Sequence, residues 1–576
     1  MAQAPDVVAR LYERHGTAAF ALLDGDFSLV LFDPNSQTSF LVVDKLGCND
    51  IFVRETDNYF LFGSHSTALL EADEAWDPIT VAFFLAQEGF VPSPFTLSPG
   101  VKGIGRARCL RLLHDTNGLQ VDCQRYWVPD RTWDLPSRRS ATTKFFDLVK
   151  NATSVRTDPR SSLLLSAGVD SSLLANLAVP LAGPDFVSVT GAVKGFKEWE
   201  AAIGSSAELA AQLKIRHESI LLDPADQSIP EEWALCTGSW MTGARATTPL
   251  FLRCGMYLRD RLGEGYTALS GQMADTLADN NYTTPSAGYT FRRAFCSPWF
   301  LSLMPWLAFV VPRKEGFLGN TLVALVNTFG GPGFAAMMES VLDGMTNAQR
   351  FYEGRLFGYG EMPGRSAAYF PALTEAGLDQ VANWYSSNFV KPVASGITPR
   401  NFYGQMIDLS MDMCMLHLDT RLVLQIFRLT KGKAHLPFLD ARVVNFFCSL
   451  PYSARAFYRE PKHVIRDQFR SKNLLHVASN HRAVSARDGN IVPADELLLR
   501  GSLGAYFRDL LRDCTLPNRV HSIFDIVDEG YFFNQLSTFI RGNAGTNYTF
   551  ISKLAALELW HQQLATTERL VSIGTA

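Results

Sequence analysis

The chain has 576 residues, 47% apolar and 19% charged, with 53 Lys and Arg against 57 Asp and Glu and a net charge of −4. That length supports two or more domains with ample core, and the near-neutral balance excludes broad, nonspecific binding of nucleic acid. Nine cysteines are scattered without a CxxC pair, which predicts reduced structural thiols rather than a disulfide framework or a zinc site. With no basic-then-apolar leader after Met1, that usage predicts a cytoplasmic protein. The longest apolar stretch, Trp299–Val311, is too short for a bilayer and has Pro298, Pro305 and Pro312 in or beside it. No membrane role is expected; the stretch reads as a buried kinked helix or as an apolar wall for a substrate.

Residues 1–130 read as a β-rich domain. A short helix is predicted over Val7–His15. Apolar runs then alternate with turn residues: Ala18–Leu23, Phe27–Phe32, Phe40–Val43, Ile51–Arg54 and Tyr59–Gly63, divided by Asp24-Gly25-Asp26, Asp33-Pro34-Asn35 and Thr56-Asp57-Asn58. Pro78–Glu88 reads as a helix, and Cys109–Leu113 with Gln120–Cys123 as a further hairpin. Val128–Ser140, with two prolines and several charges, reads as a linker.

Residues 140–576 read as α/β sequence followed by helix-rich sequence. Ala141–Asn151 is amphipathic. Ser161–Leu165, Phe186–Thr190, His217–Leu222 and Tyr266–Leu269 read as strands, with a helix predicted over Glu200–Lys214. This alternation predicts a parallel sheet with its ligand at the carboxyl ends of the strands. The Gly/Pro-rich breaks at 330–333 and 357–363 read as loops over a site.

Three stretches carry chemistry. After strand Ser161–Leu165 comes Ser166-Ala167-Gly168-Val169-Asp170-Ser171-Ser172, then a helix start at Leu173–Ala178. Strand, small-residue turn and helix is the geometry that aims backbone N–H groups at a phosphate. It lacks the Gly-Lys-Ser/Thr of a Walker A loop, and taken alone it reads equally as a structural turn. Tyr266–Leu269 likewise ends in Ser270-Gly271-Gln272-Met273-Ala274-Asp275-Thr276. Asp170 and Asp275 would each pass singly for a helix N-cap, but two strand-end aspartates in one sheet point to a shared ligand. The third stretch is Leu436-Pro437-Phe438-Leu439-Asp440, then Leu450-Pro451 and Pro461-Lys462-His463-Val464-Ile465-Arg466. Asp440 fits an N-cap, and Lys462 alone would read as a solvated charge.

In this order and spacing the three stretches resemble the asparagine synthetase superfamily. Its members carry Ser-Gly-Gly-x-Asp-Ser, Ser-Gly-x-Gly-Ala-Asp-Glu, and Val-Pro-Phe-Leu-Asp followed by Lys-x-x-Leu-Arg. The N-terminal domain resembles the glutaminase domain of the same enzymes through Leu23-Asp24-Gly25-Asp26-Phe27, Asp44-Lys45-Leu46-Gly47 and Phe62-Gly63-Ser64-His65. The fold class implied is α/β: a glutaminase-like (Ntn-type) remnant over 1–130 and an ATP-pyrophosphatase domain, adenine-nucleotide α-hydrolase-like, over 140–576. The resemblance implies that Ser166, Ala167, Gly168, Asp170, Ser171, Ser172, Ser270, Gly271 and Gln272 bind ATP. It also implies that Asp170 and Asp275 hold Mg²⁺, and that Lys462 contacts phosphate and stabilises the charged intermediate.

The departures from the family pattern are as informative. Ala167 replaces the first loop glycine. Ala2 stands where the family exposes its nucleophilic cysteine, and a methyl group cannot replace a thiol nucleophile. The first domain is therefore expected to be an inactive remnant. Gln272 replaces the Glu or Tyr that helps deprotonate or position the amine; it hydrogen-bonds but cannot act as a base. Thr276 replaces a glutamate, and Asp279-Asn280-Asn281-Tyr282 a Gly-Gly-Tyr, which disfavours aspartate as substrate. The expected activity is ATP-dependent amide formation: a substrate carboxylate is adenylated with release of pyrophosphate, and an amine displaces AMP. Intramolecular macrolactam closure, as in the lasso-peptide cyclases, is favoured; β-lactam formation, intermolecular ligation of small molecules and a noncatalytic scaffold are the alternatives. A peptide substrate would imply a precursor peptidase and a recognition protein as partners.

Overall fold

The computed structural model describes residues 4–56, 59–71, 74–86, 89–115, 118–130, 138–239, 245–274, 277–278, 371–390, 392, 404, 407–408, 411–412, 420–450, 462–476 and 494–574. The expectations placed on Ala2, Asp275, Thr276 and residues 279–282, 299–311, 330–333 and 357–363 lie outside them.

Two antiparallel sheets follow the N-terminal helix Ala4–His15. Strands β1 (Ser28–Asp33), β2 (Thr38–Val43), β6 (Arg108–Asp115) and β7 (Gly118–Arg125) lie in the order β1-β2-β6-β7. Strands β3 (Phe52–Glu55), β4 (Phe60–Gly63) and β5 (Lys102–Gly103) lie in the order β4-β3-β5. The turn between β1 and β2 closes on Asp33, whose carboxylate accepts from Asn35 N at 2.9 Å and Ser36 Oγ at 2.8 Å. Leu41, Val43, Ile51, Ile104, Leu110 and Leu112 fill the space between the sheets. One expected strand is helical instead: Gly16–Ala18 is a 3-10 turn and Ala19–Leu22 a turn of α-helix. An apolar run this short has no period to decide its type, and packing decided it, because the helical turn sets Phe20 fully buried against Phe40 and Tyr126.

The rest of the chain is built on five parallel strands: β8 (Ser161–Leu164), β9 (Val187–Val193), β10 (Arg216–Leu222), β11 (Thr267–Leu269) and β12 (Lys433–His435). Their order is β10-β9-β8-β11-β12. The sheet grows outward from β8 in one direction and then restarts beside it with β11, so the connections reverse between those two strands. In such sheets the ligand crevice opens at that switch point, beyond the carboxyl ends of the strands. Helix α1 (Arg138–Ser154) begins inside the stretch read as a linker, and α2 (Val169–Ala178) follows β8. Helix α3 (Lys197–Leu213) starts three residues earlier than the sequence pattern suggested, with Glu198 and Glu200 in its first turn, where acidic side chains favour the helix dipole.

A single large core runs through this half and takes in the helix Pro78–Ala86 from the N-terminal half. Phe84 meets Trp560 edge-on with ring centroids 5.5 Å apart, and Phe83 stacks on Tyr385 at 6.0 Å. Buried ion pairs also join the halves: Arg421 reaches Asp50 at 2.9 Å, and Arg106 reaches Asp408 at 2.7 Å. Among the described residues no helix is long and apolar enough to cross a membrane.

Candidate active site

The first loop leaves β8 through Leu165, whose carbonyl accepts hydrogen bonds from Thr190 Oγ1 and, at 3.1 Å, from Ser206 Oγ. Those two hydroxyls fix the strand end from which Ser166 departs. Ala167 then takes φ +52°, the left-handed region that glycine adopts without strain, at a cost of about 1–2 kcal/mol for an L-residue. The loop thus keeps a glycine-type turn without the glycine. Gly168 is the N-cap of α2, so Asp170 lies in the first turn and is not the cap. The cap reading of Asp170 is set aside on that ground. Ser171 Oγ braces the turn, accepting from Ser166 N at 3.2 Å and donating to Gly168 O at 3.2 Å. The start of α2 is thereby fixed at the end of β8, the arrangement in which helix N-terminal N–H groups can meet an anion.

The second loop lies against the first. Ser270 is buried at the end of β11, and its N–H donates to His435 O at 2.9 Å. A Cβ on Gly271 would come 3.1 Å from Ser171 N and 3.2 Å from Asp170 Cβ, so a side chain there would press the two loops apart by a few tenths of an ångström. Met273 follows with φ +72°, again a side-chain-bearing residue in the left-handed region. Gln272 N donates to Ser270 Oγ at 3.4 Å, and its Oε1 is a buried acceptor that no donor reaches among the described residues. The two loops named from sequence are brought together; Asp275 is not among the residues the structure describes.

Lys462, 292 residues from Asp170 in sequence, places Nζ 2.5 Å from Asp170 Oδ2, with both side chains largely buried. It caps helix α4 (His463–Lys472) in the left-handed conformation, φ +56°. An ammonium and a carboxylate thus lie side by side at the start of α2. Asp440 has another task. It is the N-cap of the helix Ala441–Ser449, accepting from Arg442 N at 3.0 Å, and its other oxygen accepts from Arg156 Nη1 at 2.8 Å. Burial opposes its ionisation, but the hydrogen bonds from Arg442 and Arg156 outweigh that and hold its carboxyl below the ordinary value.

Two groups near the site carry no legible sequence signal of their own. His435, at the end of β12, has Nδ1 3.4 Å from Asp26 Oδ2 and so links the second loop to the Leu23-Asp24-Gly25-Asp26 turn of the N-terminal half. Arg156 lies beyond the end of α1 and meets Asp440 across 284 residues. Only proximity to the Pro-Phe-Leu-Asp stretch could have drawn attention to His435. Among the described residues no group of three or more His, Cys, Asp or Glu could hold a metal.

The description "glutamine amidotransferase domain" fits residues 3–127 and "asparagine synthase" residues 144–339. In succession the two family models cover more than half of the chain. It is a member of the asparagine synthetase superfamily. No curated protein matches this chain. Like the synthetases, this superfamily member joins an antiparallel amidotransferase-type unit to a parallel-sheet synthase unit, and it is an ATP-dependent amide-forming ligase. The synthase match takes in both loops but stops short of Lys462, which the fold returns to Asp170.

Proposed function

We propose that this superfamily member adenylates a substrate carboxylate and lets an amine of the same substrate displace AMP, closing a macrolactam. The observation that carries the reading is the 2.5 Å approach of Lys462 to Asp170 where the two strand-end loops meet. A carboxylate oxygen attacks the α-phosphorus of ATP, and the bond to the bridging oxygen breaks as pyrophosphate leaves. The amine nitrogen then attacks the acyl carbon, and AMP departs with the bond electrons. The first turn of α2, with Ser171 bracing it, would hold the phosphates through backbone N–H groups. Lys462 would offset charge that develops on the leaving groups. Asp170 fits a Mg²⁺ ligand, since it is a carboxylate at the crevice beside the phosphate loop, with Asp275 as the expected second; bound Mg²⁺ would neutralise pyrophosphate.

Gln272 supports a nucleophile presented by the substrate. Its buried Oε1 accepts an N–H and so orients an amine, but it takes no proton, which passes to water. The N-terminal half is proposed not to release ammonia from glutamine. Burial raises the Cys48 thiol well above its ordinary pKa and pushes the Cys109 thiol up to about 12. The cavity beside β3, between Phe52, Ser66, Ser93 and Phe95, is ≈ 20 Å³, room for about one water and too small for a glutamine side chain. A peptide substrate would come from a precursor peptidase and a recognition protein.

Pyrophosphate release from ATP with linear peptides, small amino acids, or acid and amine pairs tests the reading. Release with a peptide, with a product lighter by one water, is expected. Turnover only of small molecules would move the assignment to β-lactam-type or intermolecular ligation, and no release with no Mg-ATP binding would make the protein a scaffold. Asp170→Asn and Lys462→Ala should each lose at least about 100-fold in turnover while remaining folded; full activity in either would sink the site.

A further inference from the structure

The helix that begins at Lys462 is fastened at its far end to the helix that carries Asp170. Asn176, in the last turn of α2, donates from Nδ2 to Leu475 O at 2.8 Å and accepts at Oδ1 from Leu475 N at 2.9 Å. Its second Nδ2 proton goes to Ser172 O at 2.8 Å, so both amide protons and the carbonyl oxygen are engaged. Leu475 follows the left-handed C-cap Asn473, φ +52°, that ends α4. The helix is thus held at three places. Lys462 meets Asp170 at its start, Gln468 Nε2 meets Thr142 O of α1 at 3.0 Å along its side, and Asn176 grips the backbone just past its end.

Asparagine is a weak helix former, and in the last turn of α2 Asn176 commits its whole amide to backbone groups, those of Leu475 lying outside that helix. From this we infer that Asn176 is a positioning residue for Lys462, a role that rests on the ligase reading. It ties both backbone groups of one residue, which fixes orientation as well as distance. The ten residues of α4 rise about 1.5 Å each, so the helix is a lever of about 15 Å, and a tilt of about 4° at its far end moves Lys462 by about 1 Å. A displacement of that size in a charge-stabilising group costs on the order of 100-fold in rate. Asn176 follows Asp170 on the same helix and spends its amide on the backbone of Ser172 and Leu475, so its effect reaches the site through the placement of Lys462 and falls on the chemical step.

Asn176→Leu keeps the size of the side chain and removes all three hydrogen bonds. The expected result is native circular dichroism, a KM for Mg-ATP within about twofold of wild type, and kcat lower by about 10- to 100-fold. Asn176→Asp retains the acceptor for Leu475 N but sets a carboxylate against two carbonyls; it should fold and also lose kcat rather than ATP affinity. Two readouts need no substrate: amide exchange at Leu475, and acylation of Lys462 by acetic anhydride scored by peptide mass against exposed lysines. Both should quicken several-fold in Asn176→Leu. Unchanged kcat and unchanged Lys462 acylation, with Leu475 exchange accelerated, would overturn the inference. If wild type itself releases no pyrophosphate, the ligase reading fails, and Lys462 acylation in the variant still decides whether Asn176 positions the lysine.

Discussion

Replacing Gly271 by alanine probes the contact on which the site depends. The backbone of Gly271 is outside the left-handed region, so the perturbation is steric alone. The new methyl would lie 3.1 Å from Ser171 N, 3.2 Å from Asp170 Cβ and 3.3 Å from Asp170 C, where ordinary contact begins at 3.4 Å. All three neighbours belong to the backbone or the stem of the phosphate loop, not to the tip of a flexible chain. The loops must part by a few tenths of an ångström, and overpacking of this kind costs about 1–3 kcal/mol. If the strain is relieved by shifting the phosphate loop, Mg-ATP binding weakens by about 5- to 150-fold. Calorimetric titration with Mg-ATP and thermal unfolding measure both sides. Gly204→Ala is the matched control: Gly204 is exposed within α3, nothing lies within 4 Å of the added methyl, and the helix should gain about 1 kcal/mol with ATP binding unchanged. Gly271→Ala with wild-type stability and wild-type affinity would show that the two loops do not touch.

Two further outcomes concern the junction of the halves. Arg421→Met leaves the buried Asp50 without the guanidinium 2.9 Å away and should cost about 3–5 kcal/mol in denaturant unfolding, with both halves losing protease resistance together; loss below 1 kcal/mol would refute a stabilising junction. Burial, with the charge of Asp26 adding to it, pushes the Asp44 carboxyl up to about 7. Its folded pKa lies above its unfolded one, so the native state binds the extra proton; the stabilisation is present in acid and is lost as pH rises through about 7. Wild-type stability should therefore decline from about pH 4 to 7 and level off above that, and Asp44→Asn should flatten that slope; an equal slope in both proteins would rule the assignment out.

Much of this protein is written locally. The strand over Ser161–Leu164 and the small-residue turn after it are legible because burial of an apolar run and the chemistry of a turn act over a few residues. The same holds for Asp440 as a cap, since its bond to Arg442 N spans two positions. Where local signals are weak, packing chose: Ala19–Leu22 became helix because Phe20 had an aromatic cluster to enter.

The sequence by itself determined most of the elements, the two loops and the residue types that can hold a nucleotide. Tertiary structure alone decided that β11 pairs with β8, which sets Gly271 against Asp170 and Ser171. It decided that Lys462 returns to Asp170, that Asn176 grips Leu475, and that His435 faces Asp26. It also turned Ala167 from a departure into a retained turn, because φ +52° follows from the strand end and the helix start it must join. Periodicity and turn chemistry reach a few residues along the chain, whereas these contacts arise from strand order and shared burial across hundreds, which no local pattern encodes.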